Sequence, residues 1–337
     1  MGLFSIKKKA PFEPVVDVAQ AAYSADSHID ASEFETVGTD VGSMESIVRP
    51  SISFWKDALG RIRRSKVAMV CTIILILLII GAIIVPIISP FAINDQNVIF
   101  KHQPPMSVDP VNGQVHIFGT DTLGRDIFVR VWYGARISLI VAAAVALIDC
   151  VMGIVYGGIS GYFGGAVDNV MMRVLEVISG IPYLIIVMLL MVVLERGVGT
   201  IILAYSITGW TGMARLVRGQ VVALKGQEFL IAAQAMGAKP RRIIARHLVP
   251  NILSVIIVNI TLDIPAIIFT EAFLSMLGLG ISPPETSWGI LANDGIQFFQ
   301  SYPTELLFPA LFICFTMLSF NLLGDQLRDA FDPKLRR

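Results

Sequence analysis

Charge is what this sequence has least of. Only 15% of its 337 residues are Asp, Glu, Lys or Arg, against about 25% in soluble domains. Mean hydropathy is correspondingly high, at +0.71. The formal net charge of zero hides a segregation of charges into tails and loops, and nothing in it points to nucleic acid. Cysteine is nearly absent: Cys71, Cys150 and Cys314 all fall in apolar stretches. Three scattered cysteines supply neither a disulfide framework nor metal-ligand spacing, and they read as small lipid- or core-facing side chains. There is no GxxxxGK[ST] loop, since Gly60–Lys66 lacks the second glycine. The chain therefore does not hydrolyse ATP by itself. The four histidines, His28, His102, His116 and His247, are dispersed. His102 and His116 read as ordinary loop residues without partners rather than as metal ligands. No nucleophile–base pair or metal pair remains to nominate a catalytic residue.

What is present is a series of apolar runs. A helix needs about 20 apolar residues to cross a bilayer, and about six stretches qualify: Val67–Ile88, Ser138–Gly161, Val174–Leu194, Val198–Ala214, Ile252–Leu279 and Leu306–Leu323. Pro265 is the expected bend in the fifth. Lys and Arg placement orients them. Arg61, Arg63, Arg64 and Lys66 precede the first span, and Arg328, Lys334, Arg336 and Arg337 follow the last, so both termini are cytoplasmic. The 281–304 loop has no Lys or Arg and falls outside. Trp288 within it reads as an external interface anchor. The first 49 residues carry many acids with little apolar periodicity, the pattern of a disordered tail. The chain divides into this tail (1–49), a first transmembrane helix plus external segment (50–133), a transmembrane core (134–324) and a cytoplasmic C-terminal tail (325–337). The fold class is an all-α membrane protein.

One cytoplasmic loop is unlike the others. Over 228–250, EFLIAAQAMGAKPRRIIARHLVP, it reads as helix, glycine turn and second helix. Phe229, Leu230, Ala232, Ala233 and Met236 recur at helical spacing, Gly237 suits a left-handed stop, and Pro240 opens the next helix. Arg241, Arg242 and Arg246 serve the positive-inside pattern and can also steer an acidic partner. A compact amphipathic piece at a membrane surface is shaped to be gripped by another protein. Three acids sit in or near spans: Asp149, Asp263 and Glu271. A charge at bilayer depth costs about 2.5–3.5 kcal/mol. Each acid therefore lines a polar translocation path or bonds to a neighbouring helix, and the residues alone leave both open. Arg173 and Glu176 form a local pair. The glycines from Gly157 to Gly165 permit close helix approach.

The 228–250 loop resembles the EAA loop of type I ABC importer permeases: Ala232, Ala233, Gly237 and Pro250 match its pattern, while Ile231, His247 and Val249 depart from it. Phe118–Arg130, Glu271–Gly280, Pro283–Gly289 and Phe320–Pro333 resemble further signatures of the oligopeptide/dipeptide branch, C-type subunit. The resemblance covers about residues 52–336. It implies the type I permease fold, with a coupling helix between spans 4 and 5 that docks on an ATPase, and Pro250 closing that element. It further implies a homologous second permease forming a heterodimer, two cytoplasmic ABC ATPases and an extracytoplasmic peptide-binding protein. ATP and Mg would sit on the ATPases, with no cofactor on this chain. The implied activity is import of peptides, oligopeptides ahead of dipeptides, across a bacterial-type plasma membrane. Within the branch, dipeptide or nickel-complex uptake is the alternative. Outside it stand an ion-coupled secondary transporter, disfavoured by the absence of clear inverted repeats, and a non-transporting membrane scaffold.

Overall fold

A computed structural model of the chain describes residues 54–110 and 113–332. The acidic tail over 1–49 and the basic residues Lys334, Arg336 and Arg337 lie outside the described residues.

Helices carry almost all of the structure. An amphipathic helix α1 (Phe54–Arg64) precedes α2 (Lys66–Ile88). The Ser65 hydroxyl caps α2 by accepting from the Ala68 N–H at 3.2 Å, and it donates to Gln326 Oε1 at 2.6 Å. That bond ties the start of α2 to the end of the chain's last helix. Helix α2 buries a narrow stripe, Ala68, Cys71, Leu75, Leu78 and Ala82, spaced as a seam against neighbouring helices. Its remaining isoleucines and leucines are exposed, except the half-buried Ile74. Gly81 leaves room for the Trp132 indole.

A connecting segment follows, with a two-residue antiparallel pair: β1 (Ser107–Val108) and β2 (Val115–His116) align Ser107 with His116 and Val108 with Val115. It delivers the chain to α3 (Ile127–Phe163), whose N-cap Asp126 accepts from the Val129 N–H at 2.8 Å. Then come α4 (Gly165–Gly180), α5 (Tyr183–Val193), α6 (Val198–Thr208) and α7 (Trp210–Leu224). Helices α3 and α7 make the most extensive contact in the molecule. Glycines explain it: a Cβ at Gly157 would collide with the Ala214 carbonyl, and one at Gly161 would crowd Val221 and the Arg218 carbonyl. Close backbone approach of this kind gives tight packing where the surroundings are themselves apolar.

After α8 (Glu228–Ala235) and α9 (Pro240–Ile243), a π turn over Ile244–Leu248 leads into α10 (Val249–Met276), then α11 (Trp288–Ile296) and α12 (Pro303–Phe331). Helix α10 packs on α3, α11 and α12, and α12 also packs on α1 and α2. The central core joins Val131, Val141, Val145, Val187, Ile201, Ile267, Ile268, Leu274 and Trp288.

Four continuous helices have the length and hydropathy of a span, and α4 with α5 makes a fifth only as a pair bent by 72°. Two of the six expected spans are thus interrupted. The Val174–Leu194 run breaks at Ile181 and Pro182, which lie between α4 and α5. A proline disfavours helical geometry in the residue before it. The Val198–Ala214 run divides at Gly209 into helices of 11 and 15 residues, in a stretch diluted by Thr208, Thr211 and Gly212. Pro265, the expected bend, lies inside α10, which continues through it. Helix α12 extends through Phe331, so residues 325–331 are helical.

The two ends of the bundle are distinct. One holds the start of α2, the end of α12 and the 216–220 and 254–259 stretches of α7 and α10, which share a cavity with Arg328, Phe331 and Asp332. The other gathers the 89–126 connection, the α5–α6 turn and the 277–302 loop: Arg125 approaches Asp294 at 3.9 Å and Arg196 donates to the Gly278 carbonyl at 3.0 Å.

Candidate functional site

The 228–250 loop folds as a short helix pair with part of its apolar side chains buried. Helix α8 ends in a Schellman motif: the Gly237 N–H donates to the Gln234 carbonyl at 2.9 Å and the Ala238 N–H to the Ala233 carbonyl at 3.1 Å. Gly237 sits at φ +76°, where a side chain is strained and glycine is not. Pro240 then opens α9 at its first position. The π turn precedes Pro250, which has no N–H for the Arg246 carbonyl and whose ring would press on it in a regular turn. Asn251 Nδ2 donates to the His247 carbonyl at 2.6 Å, satisfying a group the wider turn exposes.

The residues named in this loop fall into two sets. Leu230 and Ala233 are buried, and Leu230 belongs to an apolar cluster with Ile243, Leu248, Met213, Val217, Val221, Ile252 and Ile256. That cluster draws on α7, α9 and α10 as well as α8. Phe229, Ile231, Ala232 and Met236 face outward, with Met236 82% exposed and Ile231 55% exposed. Arg241, Arg242 and Pro250 are exposed beside them. The outward face of α8 is thus apolar, and its inward face is buried.

The three acids also separate. Asp149 (α3) and Asp263 (α10) line one cavity of about 480 Å³ together with Tyr205, Gly209, Arg215 and Asn259. Asn259 Nδ2 donates to Asp263 Oδ2 at 2.6 Å. Asp149 is buried, and its Oδ1 accepts no hydrogen bond from the described residues. Glu271 is not among that cavity's lining residues. Its Oε1 accepts from Ser275 at 3.0 Å and Ser287 at 2.6 Å, and its Oε2 from Ser138 at 3.0 Å. It joins α10, α3 and the start of α11. Ser138 in turn accepts from the Trp288 N–H at 3.3 Å, and Trp288 Nε1 donates to the Val131 carbonyl at 3.0 Å. Trp288 is fully buried, so it is a core residue and not the interface anchor its loop position suggests.

Two histidines likewise have partners that spacing did not reveal. The His116 ring is 2.8 Å from Asp126 through Nδ1, 4.0 Å from Asp109 through Nε2, and stacked on Phe91 at 4.2 Å. Desolvation by burial pushes the Asp126 carboxyl up, against the opposing effect of the Val129 N–H and His116. The His102 ring is 2.6 Å from Glu305 and stacks on Tyr302 at 4.1 Å. Near the loop end, Arg218 pairs with Asp168, which also accepts from the Ser160 hydroxyl. Arg173 pairs with Glu176 at 2.9 Å on an exposed face. Tyr205, Gly209 and Asn259 have no one-dimensional signal, because α6 and α10 bring them together across some fifty residues of chain.

Residues 153–337 match the family described as binding-protein-dependent transport system inner membrane component. Residues 53–105 match the N-terminal TM domain of oligopeptide transport permease C. The oligopeptide transport system permease protein OppC of Bacillus subtilis (strain 168) is 48% identical over 310 residues, covering 92% of this chain and 99% of that protein. The dipeptide transport system permease protein DppC of the same organism is 51% identical over 294 residues, covering 87% of this chain and 90% of that protein. OppC of Escherichia coli (strain K12) is 44% identical over 284 residues, covering 84% and 92%. With a family match over more than half of its length, and relatives this similar along nearly all of theirs, the chain belongs to the binding-protein-dependent transport system inner membrane component family, as a C-type permease subunit of its oligopeptide and dipeptide ABC importers.

Proposed function

We propose that this subunit lines one half of a peptide path through a bacterial plasma membrane and is driven by separate ATPase chains docked on its 228–250 loop. A homologous permease supplies the other half of the path. Two ABC ATPases carry the ATP and Mg, and an extracytoplasmic binding protein delivers the peptide, an oligopeptide ahead of a dipeptide. The observation that carries the reading is the division of α8, with Leu230 and Ala233 turned into the bundle and Phe229, Ile231 and Met236 turned out. A partner that moves the outward residues moves the bundle, since packed contacts switch between discrete arrangements rather than deform. With Ile231 where related loops carry Glu, docking at this position depends on packing more than on charge.

Orientation follows from the same end of the molecule. Arg215, Arg218, Lys225, Lys239, Arg241, Arg242 and Arg246 cluster around the loop, so the positive-inside rule puts it and both termini in the cytoplasm. The end built from the 89–126 and 277–302 segments then faces the binding protein. In this reading Asp149 and Asp263 belong to the path, whereas Glu271 serves the helix junction.

Replacing Gly237 by valine tests the coupling. A β-branched residue at positive φ distorts the α8 stop. Insertion and assembly are expected to persist while ATP hydrolysis by the reconstituted complex no longer drives peptide uptake. Normal ATP-driven uptake by that variant would defeat the proposal.

A further inference from the structure

The Asp149–Asp263 cavity is built in a way that a generic polar lining does not require. It lies between α3, the α6–α7 junction and α10, and opens on the side of Gly212, Arg215 and Ala266. Two of its walls are carboxylates from helices more than a hundred residues apart in sequence. Only one guanidinium, that of Arg215, shares the lining, and its Nη2 is spent on the Ser179 hydroxyl at 2.8 Å. The lining therefore holds two carboxyl groups to one guanidinium. Asp263 has Asn259 as a donor at 2.6 Å. Asp149 has no compensating donor on Oδ1, although the residue is only 6% exposed. Burying an unpaired carboxylate oxygen costs several kcal/mol in general terms, which makes such groups rare unless something else supplies the partner.

The shape of the cavity keeps this place open. A Cβ on Gly209 would stand 2.7 Å from Asp149 Oδ2 and 2.8 Å from the Tyr205 ring. Glycine there lets the carboxylate and the aromatic face approach each other without a side chain between them. Gly212 and Ala266 line the same space and add little bulk. Two carboxylates, an amide and a tyrosine ring around a small opening make a recognition set for a compact cation carrying N–H donors. The carboxylates take charge and hydrogen bonds, and the ring face attracts the cation.

We infer that this cavity binds a primary ammonium group, the charged amino end of the peptide in transit. The inference rests on the import reading and adds the chemical group that the path grips. One ammonium neutralises the surplus carboxylate of this lining. Peptides share this group whatever their side chains, so a site for it accepts many sequences. Lysine side chains carry the same chemistry and compete for the same place.

The test uses the whole importer in proteoliposomes, with Cys71, Cys150 and Cys314 replaced by serine and Ala266→Cys as a reporter in the cavity wall. Labelling by aminoethyl methanethiosulfonate, a cation, is compared with labelling by neutral methyl methanethiosulfonate. A cleft with a surplus of one sign of charge concentrates counter-ions by about tenfold or more, so the cationic reagent is expected to be favoured by that factor. Asp149→Asn and Asp263→Asn should each remove most of the preference. Trialanine should slow labelling, whereas N-acetyl-trialanine, which lacks the ammonium, should not. Equal rates for the two reagents, or equal protection by the two peptides, would overturn the inference. So would protection by sodium or potassium chloride as strong as that by trialanine, which would make the occupant an inorganic cation. Should an Asn variant not assemble, the reagent preference and peptide protection in the reporter chain still decide. ATP-driven uptake by the parent complex is read in parallel. Its absence would count against the import reading alone, and the labelling pattern against the ammonium site alone.

Discussion

Arg218 holds Asp168 with both arms of its guanidinium, Nε to Oδ1 and Nη2 to Oδ2, each at 2.6 Å. The pair joins α7 to the first turn of α4 across fifty residues of sequence. Asp168→Ala removes the acceptor of both bonds and is expected to cost about 1–3 kcal/mol, towards the lower end because Arg218 is partly open to solvent. Arg218→Lys should recover less than half of that loss, since an ammonium cannot reproduce the two-pronged contact. Thermal unfolding of the detergent-purified importer measures both, and an unchanged Asp168→Ala midpoint would refute the assignment.

The two faces of α8 predict opposite defects. Met236→Asp changes an exposed side chain and should leave the chain's thermal stability within about 0.5 kcal/mol. ATPase chains should nevertheless fail to co-purify with it. Leu230→Asp places a charge in the junction of α7, α8 and α10 and should reduce the amount of folded chain before any question of docking arises. Co-purification retained in Met236→Asp would contradict the docking face.

Glu271 and Asp149 are expected to respond differently to loss of charge. Glu271→Ala strands three serine hydroxyls at the junction of α3, α10 and α11, each bond to the charged group being worth about 1.5–3 kcal/mol. Its effect should appear as lost stability and reduced assembly, with uptake per assembled complex little changed. Asp149→Asn should do the reverse. Uptake normalised to assembled complex, measured beside unfolding temperature, separates the two.

The Asp126 carboxyl has a pH signature. Its folded-state value lies above the ordinary carboxylate value of about 4 because of burial. Between those two values the folded chain binds more protons than the unfolded one, so stability from this group falls as pH rises through that window. Asp126→Asn should flatten this part of the pH profile, at some cost in capping because the amide oxygen alone can still accept from the Val129 N–H. Unfolding temperature across the mildly acidic range reads it, and a slope unaltered by the substitution would exclude Asp126 as its source.

Much of this architecture could be read along the chain. The α2, α3, α10 and α12 runs are long and apolar enough for hydropathy alone, and Gly237 with Pro240 marks a helix stop and restart by local chemistry. What could not be read depends on contacts distant in sequence. A hydropathy average cannot see the break at Ile181 and Pro182, nor that Gly209 divides a run of adequate length. Trp288 looks like an interface residue because its neighbours are loop residues. Only the Val131 carbonyl, more than 150 residues away, shows it to be core. The same holds for His116 and for the separation of Glu271 from the other two acids, which a list of charges in apolar stretches treats alike.

The π turn at Ile244–Leu248 has a consequence for timing along α10. Pro240–Met276 runs as a single 37-residue helix, so at about 1.5 Å per residue its Pro240 end lies roughly 35 Å from Asp263. One additional residue in the turn rotates everything downstream by about 100°. That rotation sets the phase at which Asp263 meets its cavity and Glu271 its three serines. Tightening the turn to an ordinary α turn would swing both carboxylates round the axis together. The wide turn thus fixes the direction in which both acids leave the helix, through geometry set at Ile244–Leu248, well ahead of Asp263 in the chain.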